Sequence, residues 1–114
     1  MSSILVYIEL SDNKPRKSAL EALTLAKQLA DAGGHSVHAA VLAAHGPADI
    51  AGLLTPHGAT SVMLVEHPAL ADYTALKVTR ALQAVCEAVS PSMIVLPGTS
   101  QGIEVGPRLA ARMG

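Results

Sequence analysis

The sequence predicts an α/β fold: a three-layer, doubly wound parallel sheet of four strands in the order 3-2-1-4. Three observations carry that prediction. Four short, nearly continuous apolar runs recur at residues 3–9, 37–42, 61–65 and 93–96, and runs without polar alternation mark strands covered on both faces. A stretch of helical apolar spacing follows each run. Gly, Pro and small polar residues punctuate the junctions. Regular strand–helix alternation demands parallel strands joined by right-handed crossovers. At 114 residues, half of them hydrophobic and 15% charged, the chain is sized as one domain, 1–114, with enough apolar mass to bury a core.

Each element has a local reason. Residues 3–9, SILVYIE, form the first strand, and Leu10 to Pro15 reads as a polar turn. Ser18 then opens a helix with Glu21 three residues on, the pattern of a capping box. Leu20, Leu23, Ala26 and Ala30 share one stripe, and Gly33 and Gly34 end the helix in the left-handed conformation Gly tolerates. Val37 to Leu42 is the second strand. Pro47 suits the first turn of a short helix running to about Leu54, which Gly58 breaks. Ser61 to Val65 is the third strand. The third helix spans Thr74 to Val89, with Ala75, Val78, Leu82, Val85 and Val89 on one stripe, and Ser90 and Pro91 stop it. Met93 to Leu96 is the fourth strand, and helical spacing resumes from Ile103.

The fourth strand–helix junction is the site candidate. Pro97 and Gly98 stop the strand, and Thr99, Ser100, Gln101 and Gly102 follow. In the order 3-2-1-4 the first and fourth strands are neighbours whose following loops leave on opposite faces, so a crevice opens at their carboxyl ends. The sequence places Leu10 to Asn13 on one side of it and Gly98 to Gly102 on the other. Gly98 and Gly102 would let backbone approach a phosphate near a helix N-terminus, and Thr99 and Ser100 would donate hydroxyl hydrogen bonds. Equally, any strand–helix turn favours Gly, Ser and Thr for backbone reasons, and the chain has neither a Walker lysine nor GxGxxG.

Other residues carry less. His35, His38, His45, His57 and His67 lie in or beside turns on different connections, without paired metal-ligand spacing, and read as exposed loop histidines. Glu9 ends the first strand near the crevice. A structural ion pair with Arg16, Lys17 or Arg108 fits it better than catalysis, because Asp12 is the one nearby acid and no nucleophile–base pair is present. Cys86 is alone, which excludes an intrachain disulfide, and reads as a small buried thiol. Arg108 and Arg112 share a helix face, suited to an anion, a subunit interface or plain solvation. A net charge of −1 with only Tyr7 and Tyr73 as aromatics argues against nucleic acid. No apolar run approaches the ~20 residues of a membrane span, and the first strand begins too early for a leader peptide, so a protein that is cytoplasmic or already processed is expected.

Specific stretches of the chain resemble the N-terminal domain of the electron transfer flavoprotein alpha subunit. VYIE at 6–9 resembles its first strand, RKSALEAL at 16–23 its first helix, and HGATSVMLVEHPAL at 57–70 its third-strand region, with Gly58, Ala59 and Tyr73 matching. The most specific stretch is GTSQGIEVGPRLAARMG at 98–114. The family there has Thr-Ser-x-Gly, a basic–acidic pair, then Pro-Arg-x-Ala-x-Arg. Thr99, Ser100, Gly102, Glu104, Pro107, Arg108, Ala110 and Arg112 fit, and Ile103 departs where the family has Lys or Arg.

The resemblance implies an adenine nucleotide hydrolase-like, Rossmann-like domain that pairs with a beta subunit, in a heterodimer holding one FAD. Such proteins carry electrons from flavin dehydrogenases to a quinone reductase. The resemblance places FAD mainly in a C-terminal domain absent from these 114 residues, so it implies a truncated chain that binds no cofactor of its own. It implies no catalytic residues, and AMP held by the beta subunit and not by this turn. The expected role is an interface scaffold with an exposed apolar surface, hence self-association. The competing expectation is a small adenine-nucleotide-binding module of the universal-stress type, with Gly98, Thr99, Ser100 and Gly102 as its binding turn.

Overall fold

A computed structural model describes residues 2–113. Four strands form the main sheet: β1 (Ser3–Ile8), β4 (Ser36–Ala43), β5 (Ser61–Glu66) and β6 (Met93–Val95). They are all parallel and lie in the order β5-β4-β1-β6, which is the expected 3-2-1-4. β1 pairs on one side with β4, Ser3 opposite Ser36, and on the other with β6, Ile4 opposite Met93.

The central position of β1 explains its unbroken apolar sequence, since its whole length is buried. Ile4, Val6 and Ile8 point to one face and pack with Leu23, Ala26 and Ala30 of α1 (Lys17–Gly33) and Leu54 of α2 (Ile50–Leu54). Leu5 and Tyr7 point to the other and pack with Leu82 and Val85 of α3 (Ala75–Val89) and Val105 and Leu109 of α4 (Ser100–Met113). Two apolar layers thus share one strand, as period-2 alternation requires. α1 and α4, which follow adjacent strands, leave on opposite faces.

Four local expectations change. Leu10 to Pro15 is a hairpin of β2 (Leu10–Ser11) and β3 (Lys14–Pro15). Asp12 and Asn13 at its tip have φ of 52° and 59°, the pair of left-handed residues a type I′ turn needs. Pro47 does not start a helix: α2 begins at Ile50 after Asp49, whose φ is 55°, and a 3-10 turn at Thr55–His57 continues it to Gly58, at φ 113°. α4 starts three residues before Ile103.

The capping box at Ser18 does not form either. α1 is entered through Arg16, which makes no side-chain cap, and the Ser18 hydroxyl is buried with no hydrogen-bond partner. The helix start is set by tertiary contacts of Arg16, described below. The other end behaves as expected, with Gly34 at φ 71° closing α1. Thr74 accepts from the Lys77 N–H as the N-cap of α3.

Removing an unpartnered hydroxyl at Ser18 should not weaken the fold. Ser18→Ala is expected to be neutral or to stabilise by about 1 kcal/mol, since Ala also favours helix. A working cap would instead lose about 1 kcal/mol on the same substitution. Urea unfolding distinguishes the two.

Candidate functional site

The crevice between the carboxyl ends of β1 and β6 is occupied by the protein itself. Glu9, the residue after β1, is 1% exposed. One carboxylate oxygen accepts from Arg16 Nη1 at 2.9 Å, and the other accepts from the Thr99 hydroxyl at 2.7 Å. The Glu9 carbonyl also accepts from the Arg16 backbone N–H at 3.0 Å. Of the cations considered for this ion pair, Arg16 is therefore the partner, and Lys17 and Arg108 are not among the described ion pairs.

Thr99 completes the arrangement. Its hydroxyl oxygen accepts from the Gly102 N–H at 3.3 Å and its carbonyl accepts from the Ile103 N–H at 2.9 Å, so it is the N-cap of α4. The positive end of α4 thereby faces the Glu9 carboxylate through one hydroxyl. Gly102 is buried, and a Cβ there would lie 1.8 Å from the Pro97 carbonyl oxygen. The glycine is required because the first turn of α4 passes directly over the end of β6. Of the four turn residues singled out in the sequence, Thr99 and Gly102 are committed inward. Gly98 and Ser100 are exposed, and a Cβ on Gly98 would meet nothing within 4 Å.

An open cleft of about 440 Å³ lies one strand over, above the carboxyl ends of β1 and β4 on the α3/α4 side. Of the Gly98–Gly102 turn, only Gln101 lines it; the hairpin tip supplies Asp12 and Asn13, and β4 is continued by His45. Tyr7 and Tyr73 add hydroxyls, and Asp72 a second carboxylate. Tyr7 donates to Gln101 Oε1 at 3.0 Å, and Tyr73 donates to Glu104. Burial first, then the Glu9 charge and Tyr73, push the Tyr7 phenol far above its ordinary value. Tyr73 is pushed up to about 12, by burial first, then by its hydrogen bond to Glu104 and the Glu104 charge. Sequence patterns alone do not reveal this cleft, because its lining comes from four separate connections together with β1, β4 and α3. The Asp12-Asn13 pair was the available signal for the hairpin that forms one wall.

The remaining candidates stay apart. His38 lies within β4 and bonds Ser61, and His35, in the turn between α1 and β4 as expected, bonds Ser2; both are half-buried and not exposed. Among the described residues no group of His, Cys, Asp and Glu is placed to hold a metal. Cys86 is buried, its thiol pushed up by burial and then by Glu87. Arg108 bonds the Glu104 carbonyl of its own helix, and Arg112 bonds Gln83 of α3. Among the described residues no helix is long and apolar enough to cross a membrane.

The electron transfer flavoprotein domain model matches residues 4–114. The chain belongs to the electron transfer flavoprotein family. It is 31% identical over 110 residues to the electron transfer flavoprotein subunit alpha of Thermoanaerobacterium thermosaccharolyticum, covering 96% of this chain and 33% of that protein. It is also 31% identical to the acryloyl-CoA reductase electron transfer subunit beta of Anaerotignum propionicum, covering 96% of this chain and 30% of that one. The chain thus spans about a third of the length of the curated relatives it matches. Among solved structures, a universal stress protein from Archaeoglobus fulgidus superposes with a TM-score of 0.62 at 14% identity, over 95% of this chain and 92% of that one. That likeness is one of fold, adenine nucleotide hydrolase-like, and the sequence relationship is to alpha-type electron transfer flavoprotein subunits.

Two measurements test this geometry. In an electron transfer flavoprotein domain closed in this way, Glu9→Gln and Thr99→Val should each cost about 1–3 kcal/mol by leaving a buried partner unsatisfied. Gly102→Ala, which in an open helix would stabilise by up to about 1 kcal/mol, should reverse sign and destabilise by about 3 kcal/mol or prevent folding. The tyrosines give a second readout. Both are raised in the folded state, so their contribution to stability is complete below the ordinary tyrosine value of about 10. It is lost as pH rises beyond that, through about 12 at Tyr73. Absorbance at the tyrosinate band should therefore stay low in the folded protein at pH values where free tyrosine ionises, and appear with alkaline unfolding.

Proposed function

We propose that this chain acts as the N-terminal interface scaffold of an electron transfer flavoprotein alpha subunit, docking on a beta-type subunit and helping to enclose an FAD held by other parts of the complex. The single observation that carries the reading is the family match along residues 4–114. The geometry supports a scaffold without chemistry of its own. Its first-to-fourth strand crevice is filled by Glu9, Arg16 and Thr99. The described cleft, with Asp12 and Asp72 in its lining and no Lys or Arg, does not fit the diphosphate of FAD. In this proposal Gly98 and Ser100 are the outward contacts of the turn, while Thr99 and Gly102 hold its shape.

In the assembled protein the role is electron carriage from flavin dehydrogenases toward a quinone reductase, in the cytoplasm. One relative is named as an electron transfer subunit of acryloyl-CoA reductase, which favours a partner of that kind. Within this reading residues 4–114 form one domain. The exposed Ile103 on α4 and Met93 at the start of the edge strand β6 give the isolated domain a surface for self-association. The competing reading, a small adenine-nucleotide module, draws on fold likeness, and the absence of Lys and Arg from the cleft's lining argues against it.

Purified alone, the chain is expected to show no flavin absorbance and to sediment as a dimer or larger. Co-expressed with a beta-type subunit it should co-purify with that subunit. Flavin bands should appear once the flavin-holding domain is also supplied. No co-purification under either condition, or saturable binding of AMP or ATP to the isolated chain by calorimetry, would overturn the scaffold reading in favour of the nucleotide module.

A further inference from the structure

Two hydrogen bonds tie α3 and α4 together across their outer surface. The Tyr73 hydroxyl, just ahead of α3, donates to Glu104, and Arg112 Nη1 donates to Gln83 Oε1 at 3.3 Å. Arg80 precedes Gln83 by one turn of α3, and Arg108 precedes Arg112 by one turn of α4. Arg80, Arg108 and Arg112 therefore share one outer ridge, and all three are exposed. We propose that this ridge docks an acidic helix of a partner protein, one that carries carboxylates a turn apart.

The arginines are anchored yet uncompensated. Arg108 donates to the Glu104 backbone carbonyl at 2.9 Å, and Arg112 to the Gln83 amide oxygen. Both acceptors are neutral. The ion pairs among the described residues are Glu9–Arg16 and Lys27–Asp31, so none of the three ridge arginines has a carboxylate partner there. A guanidinium carries several donors, and one anchoring bond leaves most of the fork free. An anchored fork also loses less side-chain entropy on meeting a carboxylate than a freely moving one. Of the acids on these two helices, Glu104 is engaged by Tyr73, and Glu87 lies further along α3 than Arg80 and Gln83.

Spacing and neighbours select the partner. Arg108 and Arg112 are about 6 Å apart along the helix axis, which matches carboxylates at i and i+4 of a facing helix. Leu76, one turn before Arg80, is 48% exposed, and Tyr73 is 40% exposed. Apolar and aromatic surface thus borders the charge, and Arg beside aromatic residues is the composition of protein interfaces. A membrane surface takes about 4–8 clustered Lys or Arg, more than this ridge carries. A net charge of −1 disfavours nucleic acid. The ridge lies along α4 away from the Gly98 and Ser100 corner, and does not depend on the beta-type partnership proposed above.

The test is fluorescence anisotropy of a labelled helical peptide in which Glu recurs at i and i+4 beside Leu, titrated with the 114-residue chain at low salt. Saturable binding is expected. It should be absent from the same peptide with Gln for Glu, and added salt should weaken it. The variant R80Q/R108Q/R112Q should weaken it by about tenfold or more, through loss of charge-assisted contacts. K14Q/K17Q removes charge from the hairpin and the start of α1, and should leave binding unchanged. All five side chains are exposed, so both variants should match the parent in circular dichroism and melting. The inference fails if the Glu peptide gives no saturable change, if the Gln peptide binds as tightly, if the triple variant binds like the parent, or if K14Q/K17Q weakens binding as much. Tighter binding to phosphatidylserine vesicles or to a single-stranded oligothymidylate overturns it in favour of a membrane or nucleic acid. The titration can fail while co-purification with a beta-type subunit succeeds, so the two readings are tested separately.

Discussion

A carboxylate taken out of water at the end of the central strand governs how this domain closes. At 1% exposure Glu9 needs partners, because burying a carboxylate alone is costly. Its partners come from both flanking connections: Arg16 ahead of α1 and Thr99 ahead of α4. One side chain therefore fixes where two helices on opposite faces begin. Gly102 follows from the same constraint, since drawing Thr99 toward Glu9 lays the first turn of α4 against the Pro97 carbonyl.

This closure separates two uses of one fold. In a doubly wound sheet the switch point between the first and fourth strands is where ligands ordinarily enter. Here hydrogen bonds within the chain fill it, and the opening has moved to the β1/β4 edge, where the walls are acidic. Gly98 and Ser100 are left exposed at the outer corner of the turn.

The two helical layers differ in what they leave exposed. α1 and α2 cover their face of the sheet with Leu23, Leu54 and the small Ala26 and Ala30. On the other face α4 buries Gly102, Val105 and Leu109, yet Ile103 remains 69% exposed. On the sheet itself β6 is a three-residue edge strand whose outer backbone groups are unpaired within the sheet.

The four apolar runs, the helical stripes on 17–33 and 75–89 and the Gly34 stop determined the class of fold, the parallel sheet and its order. These depend on periodicity and on connection rules that act along the chain. The pairing of Glu9 with a basic residue was also legible, because Arg16 is close in sequence. What periodicity cannot carry was decided in three dimensions. Ser18 has the spacing of a cap but lost that role to Arg16, whose position answers to Glu9. Thr99 looked like a hydroxyl for a ligand and is instead held by a carboxylate 90 residues away. The acidic cleft joins residues from Tyr7 to Gln101, and only folding brings such distant charges within reach of one another.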